Sequence, residues 1–256
     1  MPRFHCPLPL IPGQELLLPA GAARHVQVLR LQPGERIELF HGGLPDAATT
    51  AEAPWSRGHA EAEVLRMGRS EVEVRILQLH PPRDVPEAEV HLLVGVPANE
   101  RMDWLVEKAA ELGVRSIQPL QTSRSVLRLK GDRAERRQAH WQAVAISACE
   151  QSGRTRVPLI QPLRSLPEAL AASAGRKAML SLTAGSQPLH TWVAGQRPQQ
   201  PVSLLSGPEG GLDAAEEALA LQQGFEPITL GAHVLRAETA PLAALSLLQL
   251  LPDAQA

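Results

Sequence analysis

The sequence predicts an α/β protein in which a small β-rich N-terminal domain, residues 1 to about 78, precedes a larger domain with a mostly parallel sheet, residues 79–256. Three observations predict this arrangement. Short alternations of apolar and polar residues dominate the first part, which is typical of half-buried strands. Continuous apolar runs, typical of strands buried on both faces, dominate the second part. There they alternate with helical patterns, and that order favours a parallel sheet.

Composition limits the class of protein. With 44% hydrophobic and 20% charged residues, the chain has the composition of a globular protein. The net charge, 25 − 27 = −2, gives no sign of nucleic-acid binding, so any basic surface must be local. Cys6 and Cys149 have no metal or disulfide spacing. We therefore expect no metal site. No apolar run reaches about 18 residues and the N-terminus lacks an h-region, so we expect a cytoplasmic protein without membrane contact.

The N-terminal domain is predicted to contain small antiparallel strands, which close most easily as a barrel. The alternating runs are residues 36–40, 60–65 and 71–77. Residues 22–31, before the first of these runs, have helical spacing. Arg24, His25 and Arg30 on this helix could face RNA or form an ordinary solvated surface, and the charge pattern leaves both readings open. The Ala/Pro-rich residues 45–54 predict a loop.

The larger domain is predicted to begin after a linker at residues 80–86, where three prolines disfavour both helix and paired strand. Residues 90–96 then form a buried strand. Helical spacing over residues 101–112 ends at Gly113, the expected C′ residue. The apolar face of this helix is predicted to comprise Trp104, Leu105, Ala109 and Leu112. Residues 114–120 predict the next strand.

The most basic part of the chain is residues 124–156. It contains eight basic and three acidic residues, a local charge of +5 against −2 for the whole chain. Arginine suits phosphate contacts because its donors form a planar fork. The alternative is a solvated, charged helix with no ligand.

Residues 202–213 predict a strand, then a loop that exposes its backbone, and then the start of a helix. Gly207, Gly210 and Gly211 remove Cβ atoms where a ligand could approach the backbone. Phosphate-binding motifs are missing, and the carboxylate of Glu209 would repel a phosphate. The pattern therefore indicates a neutral or cationic ligand, with a tight turn that binds nothing as the alternative.

The end of the chain is predicted to be helical. Asp213 and Glu216 form a capping-box pattern at the start of one helix. Residues 240–251 form an almost wholly apolar helix, which must be covered on most sides. The sheet would cover one side and a second subunit the other, so a dimer is expected.

Four sequence blocks in a fixed order carry a family resemblance. They are Arg101-Met-Asp with Glu107-Lys-Ala-Ala-Glu-Leu-Gly113, Glu150-Gln-Ser-Gly-Arg154, Gly207-Pro-Glu-Gly-Gly211, and Leu230-Gly with Val234-Leu-Arg-Ala-Glu-Thr-Ala240. Together with Pro2-Arg-Phe4 and residues 25–31, these blocks resemble the RsmE-type ribosomal RNA methyltransferases of the SPOUT superfamily. The resemblance implies methylation of uridine N3 in small-subunit (16S) ribosomal RNA, with S-adenosylmethionine as the cofactor.

The resemblance also implies an architecture. Residues 1–78 would form a PUA-like barrel, and the C-terminal segment of residues 79–256 would be threaded as a trefoil knot. The knot would hold the cofactor between the subunits of a homodimer. Periodicity does not predict a knot, and the general rule runs against one. The RNA partner would be free ribosomal RNA or an assembled 30S subunit.

Carried onto this sequence, the resemblance assigns the cofactor to the glycine loop, a preceding strand end and a later loop. The implied cofactor-binding residues are Leu182, Ser206, Gly207, Glu209, Gly210, Gly211, Leu230, Gly231, Val234 and Leu235. Backbone groups would read the adenine, and Leu182, Val234 and Leu235 would form apolar walls. A cationic sulfonium would suit Glu209.

Arg236 is the candidate catalytic residue. Uridine N3 must lose a proton before it attacks a methyl group, and a guanidinium would stabilise the charge that spreads onto the flanking carbonyl oxygens. A buried ion pair with Glu238 is the structural alternative. Glu150 and His233 are both possible general bases, and the sequence does not rank them.

The candidate RNA-binding residues are Arg3, Arg24, Arg30, Arg124 and Arg154. The chain departs from the family pattern at Ala98, where lysine is common, and at Ser123, where glutamate is common. Both departures bear on RNA contacts. A nucleotide-dependent enzyme and a non-catalytic RNA-binding protein remain as alternatives. Retention on an ATP or NAD resin, with no effect of S-adenosylmethionine on the melting temperature, would favour the first, and transfer of a labelled methyl group to RNA would exclude the second.

Overall fold

The protein is described by a computed structural model that covers residues 1–43, 58–81, 87–98, 100–194 and 197–251. The chain divides into two compact units. Unit 1 comprises Met1–Val85 and Ile146–Val157, and unit 2 comprises Pro86–Ala145 and Pro158–Ala256. The predicted loop at residues 45–54 and most of the predicted linker, residues 82–86, lie outside the described residues.

In its described residues, unit 1 contains a five-stranded sheet, one complete helix and, in Ile146–Val157, the end of another. Its elements are β1 (Arg3–His5), β2 (Glu15–Leu17), α1 (Ala20–Val28), β3 (Arg36–Phe40), β4 (His59–Met67) and β5 (Val72–His80). Alternate residues are buried along β4 and the first half of β5, as the period of two predicts. Phe4, Ile37, Val64 and Ile76 from the strands share one apolar core with Val26 of α1.

The strand order in unit 1 is β1-β3-β4-β5-β2. Strand β1 runs parallel to β3, and the other neighbours are antiparallel. In the part of the chain that the structure describes, the hydrogen-bonded order ends at the three-residue strands β1 and β2, which do not pair with each other. The sheet is therefore open in its hydrogen bonding, and the closed barrel is not confirmed.

Unit 2 is built on an eight-stranded sheet in which every pairing is parallel. Its strands are β6 (Val90–Gly95), β7 (Ser116–Gln121), β8 (Leu159–Ile160), β9 (Arg164–Ser165), β10 (Arg176–Leu180), β11 (Gln187–Pro188), β12 (Val202–Ser206) and β13 (Glu226–Thr229). The order is β11-β13-β10-β12-β6-β7-β8, with β9 beside β7. All five residues of β12 are buried. The α/β class with a mostly parallel sheet is thus confirmed.

Six helices complete the described part of the chain outside α1. They are α2 (Arg101–Glu111), α3 (Asp132–Ser152), α4 (Leu166–Ala172), α5 (Leu189–Trp192), α6 (Ala214–Gln222) and α7 (Thr239–Leu250). Gly113, with φ of +92°, follows α2 as predicted. Helix α7 buries Leu242, Leu245 and Leu248, whereas Leu250 is 80% exposed. None of the helices in the described ranges has the length and apolar character needed to cross a membrane.

The predicted apolar face of α2 needs one correction. Met102, Leu105 and Ala109 are buried, but the side chain of Trp104 is 45% exposed. Successive residues of a helix are separated by about 100° around its axis, so Trp104 lies to one side of the buried stripe. The indole is left on the surface of unit 2.

We expect Leu205→Ala to lower the free energy of unfolding by about 2–5 kcal/mol, because it leaves a cavity in a closely packed core. Leu205 is fully buried in a cluster with Leu93, Leu120 and Met179. Leu221→Ala on α6, where the side chain is 50% exposed, is the matched control and should change stability by less than about 1 kcal/mol. Urea titrations measure both changes, and equal losses would contradict the assigned core.

Candidate functional site

The candidate site lies at the carboxyl edge of the parallel sheet in unit 2. Strands β13, β10 and β12 are neighbours, and the segments that leave their carboxyl ends line one cavity of about 330 Å³. Ligands of open parallel sheets bind at this edge, because the loops that follow neighbouring strands converge there. The position of the cavity therefore follows from the strand order.

Nine of the ten predicted cofactor-binding residues line this cavity. They are Leu182, Ser206, Gly207, Glu209, Gly210, Gly211, Leu230, Val234 and Leu235. Gly231 is not among the lining residues, although its φ of +127° shapes the same loop. Leu182 and Val234 are each 74% exposed. Large apolar side chains exposed in a cleft are typical of a binding surface.

The glycine loop after β12 is folded tightly. A Cβ atom on Gly207 would lie 2.8 Å from the backbone carbon of Gly211 and from the backbone nitrogen of Leu212. Gly211 itself has φ of +69°, which side chains other than glycine rarely adopt. A Cβ on Gly95 of β6 would meet the Pro208 ring at 2.5 Å. The loop therefore depends on glycine at three positions.

Two arginines hold the glycine loop from outside. Arg101 Nη1 donates to Glu209 Oε1 at 2.9 Å, and the backbone N–H of Ala98 donates to the same oxygen at 2.8 Å. Arg124 Nη1 donates to the carbonyl oxygens of Gly210, at 2.7 Å, and Leu212, at 3.1 Å. The carboxylate of Glu209 is thus paired inside the protein. Arg124, which the sequence assigned to RNA, braces the loop and lines the cavity.

Asp213 and Glu216 form the predicted capping box at the start of α6. The Glu216 N–H donates to Asp213 Oδ1 at 2.8 Å, and the Asp213 N–H donates to Glu216 Oε2 at 3.0 Å. The hydrogen bond from the Glu216 backbone, followed by one from the Ser123 side chain, lowers the pKa of Asp213. The Ser123 N–H also donates to Glu216 Oε1 at 2.7 Å. A glutamate at position 123 would place a third carboxylate beside Asp213 and Glu216, and Ser123 avoids this repulsion.

Arg236 lies in the exposed segment before α7 and makes no side-chain hydrogen bond or ion pair with any described residue. Its carbonyl oxygen accepts from the N–H groups of Thr239 and Ala240, at 2.9 and 3.0 Å. The alternative prediction, a buried ion pair with Glu238, is therefore wrong for this structure. Glu238 instead has its Oε1 atom 3.9 Å from Arg101 Nε.

The two candidate general bases have different surroundings. His233 lines the cavity and is exposed. Glu150 belongs to unit 1, where its Oε1 atom accepts from the His5 N–H at 2.9 Å and its Oε2 atom lies 3.3 Å from His25 Nδ1. Both carboxylate oxygens of Glu150 are engaged, and His233 is the candidate that faces the cavity.

The remaining predicted RNA-binding arginines lie in unit 1. Arg24 and Arg30 are exposed, and Arg154 is half-buried. Arg3, by contrast, is 10% exposed and pairs with Glu38 at 2.6 Å. It also donates to the carbonyl oxygen of Cys149 at 3.2 Å. The guanidinium of Arg3 is taken up inside unit 1, so this residue is structural and is not available to a phosphate.

Several residues of the site were not predicted from the sequence. The blocks singled out Arg101 without a role, and only the folded chain shows that its partner is Glu209. The cavity is also lined by Glu217, Ala237 and Ala240, which come shortly after the two predicted cofactor loops in the sequence. No cluster of three or more His, Cys, Asp or Glu side chains in the described ranges is arranged to hold a metal ion.

Comparison with known proteins defines the class. A protein-family model for the RNA methyltransferase domain matches residues 84–249, which include every residue that lines the cavity. This match spans more than half of the chain. The chain therefore belongs to the RNA methyltransferase family.

Within this class, the chain is similar over nearly its whole length to ribosomal RNA small subunit methyltransferase E. A crystal structure of that protein from Neisseria gonorrhoeae, bound to S-adenosylmethionine, is 35% identical, with 96% of each chain covered and a TM-score of 0.84. The relative from Buchnera aphidicola is 27% identical over 98% of this chain and 96% of its own. A Legionella pneumophila structure with the same bound cofactor is 32% identical, with a TM-score of 0.85 and 96% of each chain covered. The family resemblance read from the sequence blocks is confirmed.

Proposed function

We propose that the protein transfers the methyl group of S-adenosylmethionine to N3 of a uridine in small-subunit ribosomal RNA. The observation that carries the proposal is the cavity at the carboxyl edge of the sheet, walled by a braced glycine loop and by exposed apolar side chains. The Neisseria relative, similar over 96% of the chain, is a ribosomal RNA small subunit methyltransferase E bound to this cofactor.

The residues of the cavity fit S-adenosylmethionine. A volume of about 330 Å³ is at the lower end of the usual range for small-molecule sites. Backbone groups of residues 207–211 and 230–235 would hold the adenine, and Leu182 and Val234 would cover its faces. The bound cofactor supplies a methyl group on a cationic sulfonium. Glu217 adds a carboxylate to the lining, which favours a cation.

Arg236 and His233 are the residues that we assign to the chemistry. Uridine N3 carries a proton at neutral pH, and His233, which lines the cavity, is our candidate to accept it. The guanidinium of Arg236 has no ion-pair partner among the described residues, so its donors are available to the uracil carbonyl oxygens. A preorganised donor of this kind typically contributes about 2.7–4 kcal/mol to lowering the barrier.

RNA contacts are assigned to Arg24 and Arg30 of unit 1. Both are exposed and form no ion pair with a described residue, which leaves their planar forks free for phosphate oxygens. Arg154 is retained as a third candidate at the end of its sequence block. Arg3 and Arg124 are omitted because their guanidinium groups serve internal hydrogen bonds.

The finer architecture is also proposed from the resemblance. It comprises a PUA-like barrel at residues 1–78, a trefoil knot within residues 79–256, and a homodimer that acts in the cytoplasm on ribosomal RNA or the 30S subunit. The resemblance implies that the knot holds the cofactor, and the segments after β12 and β13 line one cavity with the end of β10. The exposed end of α7 at Leu250 supports a covering partner.

The direct test is methyl transfer from labelled S-adenosylmethionine to ribosomal RNA that lacks the modification. Free 16S RNA and 30S subunits should be offered separately. We expect label in at least one of them and a single N3-methyluridine by mass-spectrometric mapping. If the cofactor binds but neither RNA acquires label, the proposed activity is wrong. Binding of RNA without cofactor binding would favour a non-catalytic RNA-binding protein.

We expect Gly207→Ala to weaken S-adenosylmethionine binding by about tenfold or more, equivalent to about 1.4 kcal/mol. Its Cβ would lie 2.8 Å from two backbone atoms, which cannot move without opening the loop. Gly210→Ala should cost less, since its Cβ would lie 3.2 Å from the nearest atom, the Cβ of Arg124, which is a tight contact and not an overlap. Gly21→Ala on α1, which meets no atom within 4 Å, is the control. Calorimetry that ranks the three variants otherwise would contradict the assigned pocket.

We expect Arg236→Lys to reduce turnover by about 100-fold or more while the affinities for cofactor and RNA change little, because lysine keeps the charge but loses the fork. A higher pH supplies the N3 anion without the enzyme, so the deficit should shrink as the pH rises. Arg133→Lys, at another exposed position, is the control. Single-turnover rates across pH measure the effect. Loss of cofactor binding or of folding in Arg236→Lys would instead make this residue structural.

A further inference from the structure

Unit 2 contains a second cavity, which the proposed chemistry does not use. Its volume is about 730 Å³, within the range of small-molecule sites. It is lined by Glu100, Arg101, Asp103, Trp104, Arg137, His140 and Glu238. These residues come from α2, α3 and the start of α7, so the cavity is formed by tertiary packing.

Asp103 joins two helices that line this cavity. Its Oδ2 atom lies 2.7 Å from His140 Nε2, and its Oδ1 atom accepts from Trp141 Nε1 at 3.0 Å. One carboxylate on α2 therefore holds two side chains of α3. Trp104 follows Asp103 on α2, and Arg137 lies one turn before His140 and Trp141 on α3, so both flank this contact.

Trp104 presents an aromatic surface beside this contact. Its side chain is 45% exposed, although tryptophan is usually mostly buried. It makes no ring contact with a described residue. Arg137 is also exposed and without an ion pair in the described ranges. An exposed indole beside an unpaired arginine is the combination with which proteins bind unpaired nucleotides, by stacking on the base and contacting the phosphate.

Glu238 supplies an acceptor without a donor. Its side chain is 9% exposed, and its Oε2 atom is buried without a hydrogen-bond partner among the described residues. Buried polar atoms in proteins are almost always paired, so an unpaired one at a cavity points to a group that comes from a ligand. The imide N–H of uracil is a donor of the required kind.

The second cavity adjoins the candidate cofactor cavity. Arg101 lines the second cavity and donates to Glu209, which lines the first. Ala237 and Ala240 line the first cavity, whereas Glu238 between them lines the second. The two cavities are thus separated by one arginine and by the residues at the boundary of α7.

We propose that the second cavity binds one unpaired uridine of the RNA substrate, with its base stacked on Trp104, its imide N–H donating to Glu238 and its phosphate contacting Arg137. This inference rests on the proposed function, since it takes RNA as the substrate. It adds a site in unit 2 to the arginines assigned in unit 1.

Binding of a labelled eight-residue oligouridylate by the full-length protein tests the site. Trp104→Ala should raise the dissociation constant by about tenfold, whereas Trp104→Phe, which keeps a stacking ring, should stay within about threefold of wild type. Arg137→Ala should weaken binding and reduce the salt slope by about one. Arg136→Ala, the neighbour on α3 that lies outside the cavity lining, should change neither. Replacing uridine by N3-methyluridine in the oligomer should weaken wild-type binding, because the imide donor is lost.

The affinity for S-adenosylmethionine, measured by calorimetry on each variant, reports whether the fold is kept. Wild-type affinity for the oligomer in Trp104→Ala overturns the site. A monomeric Trp104→Ala variant of a dimeric parent, seen by sedimentation, also overturns it and makes this surface a subunit interface. Oligomer binding does not require methyl transfer. Binding that depends on Trp104 therefore supports the site even if ribosomal RNA is never methylated, an outcome that would refute the proposed function alone.

Discussion

The glycine loop after β12 depends on its attachment to the rest of unit 2. A loop that is rich in glycine is costly to order, because glycine loses more backbone freedom on folding than any other residue. Here Arg101 donates a hydrogen bond to the Glu209 carboxylate, and Arg124 donates to two backbone carbonyl oxygens. Pro208 also packs closely against Gly95 of β6. These contacts offset the entropy cost, so the loop can expose its backbone to a ligand in one conformation.

The same attachment links the loop to α7. Arg101 donates to Glu209 and approaches Glu238, which stands immediately before α7. The segment that carries Arg236 is therefore tied to the glycine loop through one side chain. In the proposed reaction, this tie would keep the residue assigned to the uracil carbonyls in register with the loop assigned to the cofactor.

Charge alone is a poor guide to function in this chain. Of five arginines assigned to RNA from the sequence, Arg3 and Arg124 use their guanidinium groups for internal hydrogen bonds. Arg24 and Arg30 stay exposed. All five look alike in the sequence, because the partner of a long side chain is set by distant parts of the chain. Arg3 meets Cys149, for example, which is 146 positions away.

Local signals in the sequence were enough to predict the secondary-structure elements around the site. The buried strand β12, the Asp213–Glu216 capping box and the stop at Gly113 each depend on neighbours within a few residues. The positions of nine cavity-lining residues came from the family resemblance. Tertiary structure decided the open edge of the unit 1 sheet, the exposure of Trp104 and the partners of Glu209. Those features depend on contacts between segments that are far apart in the chain. The periodicity and spacing of residues carry no information about the geometry of such contacts.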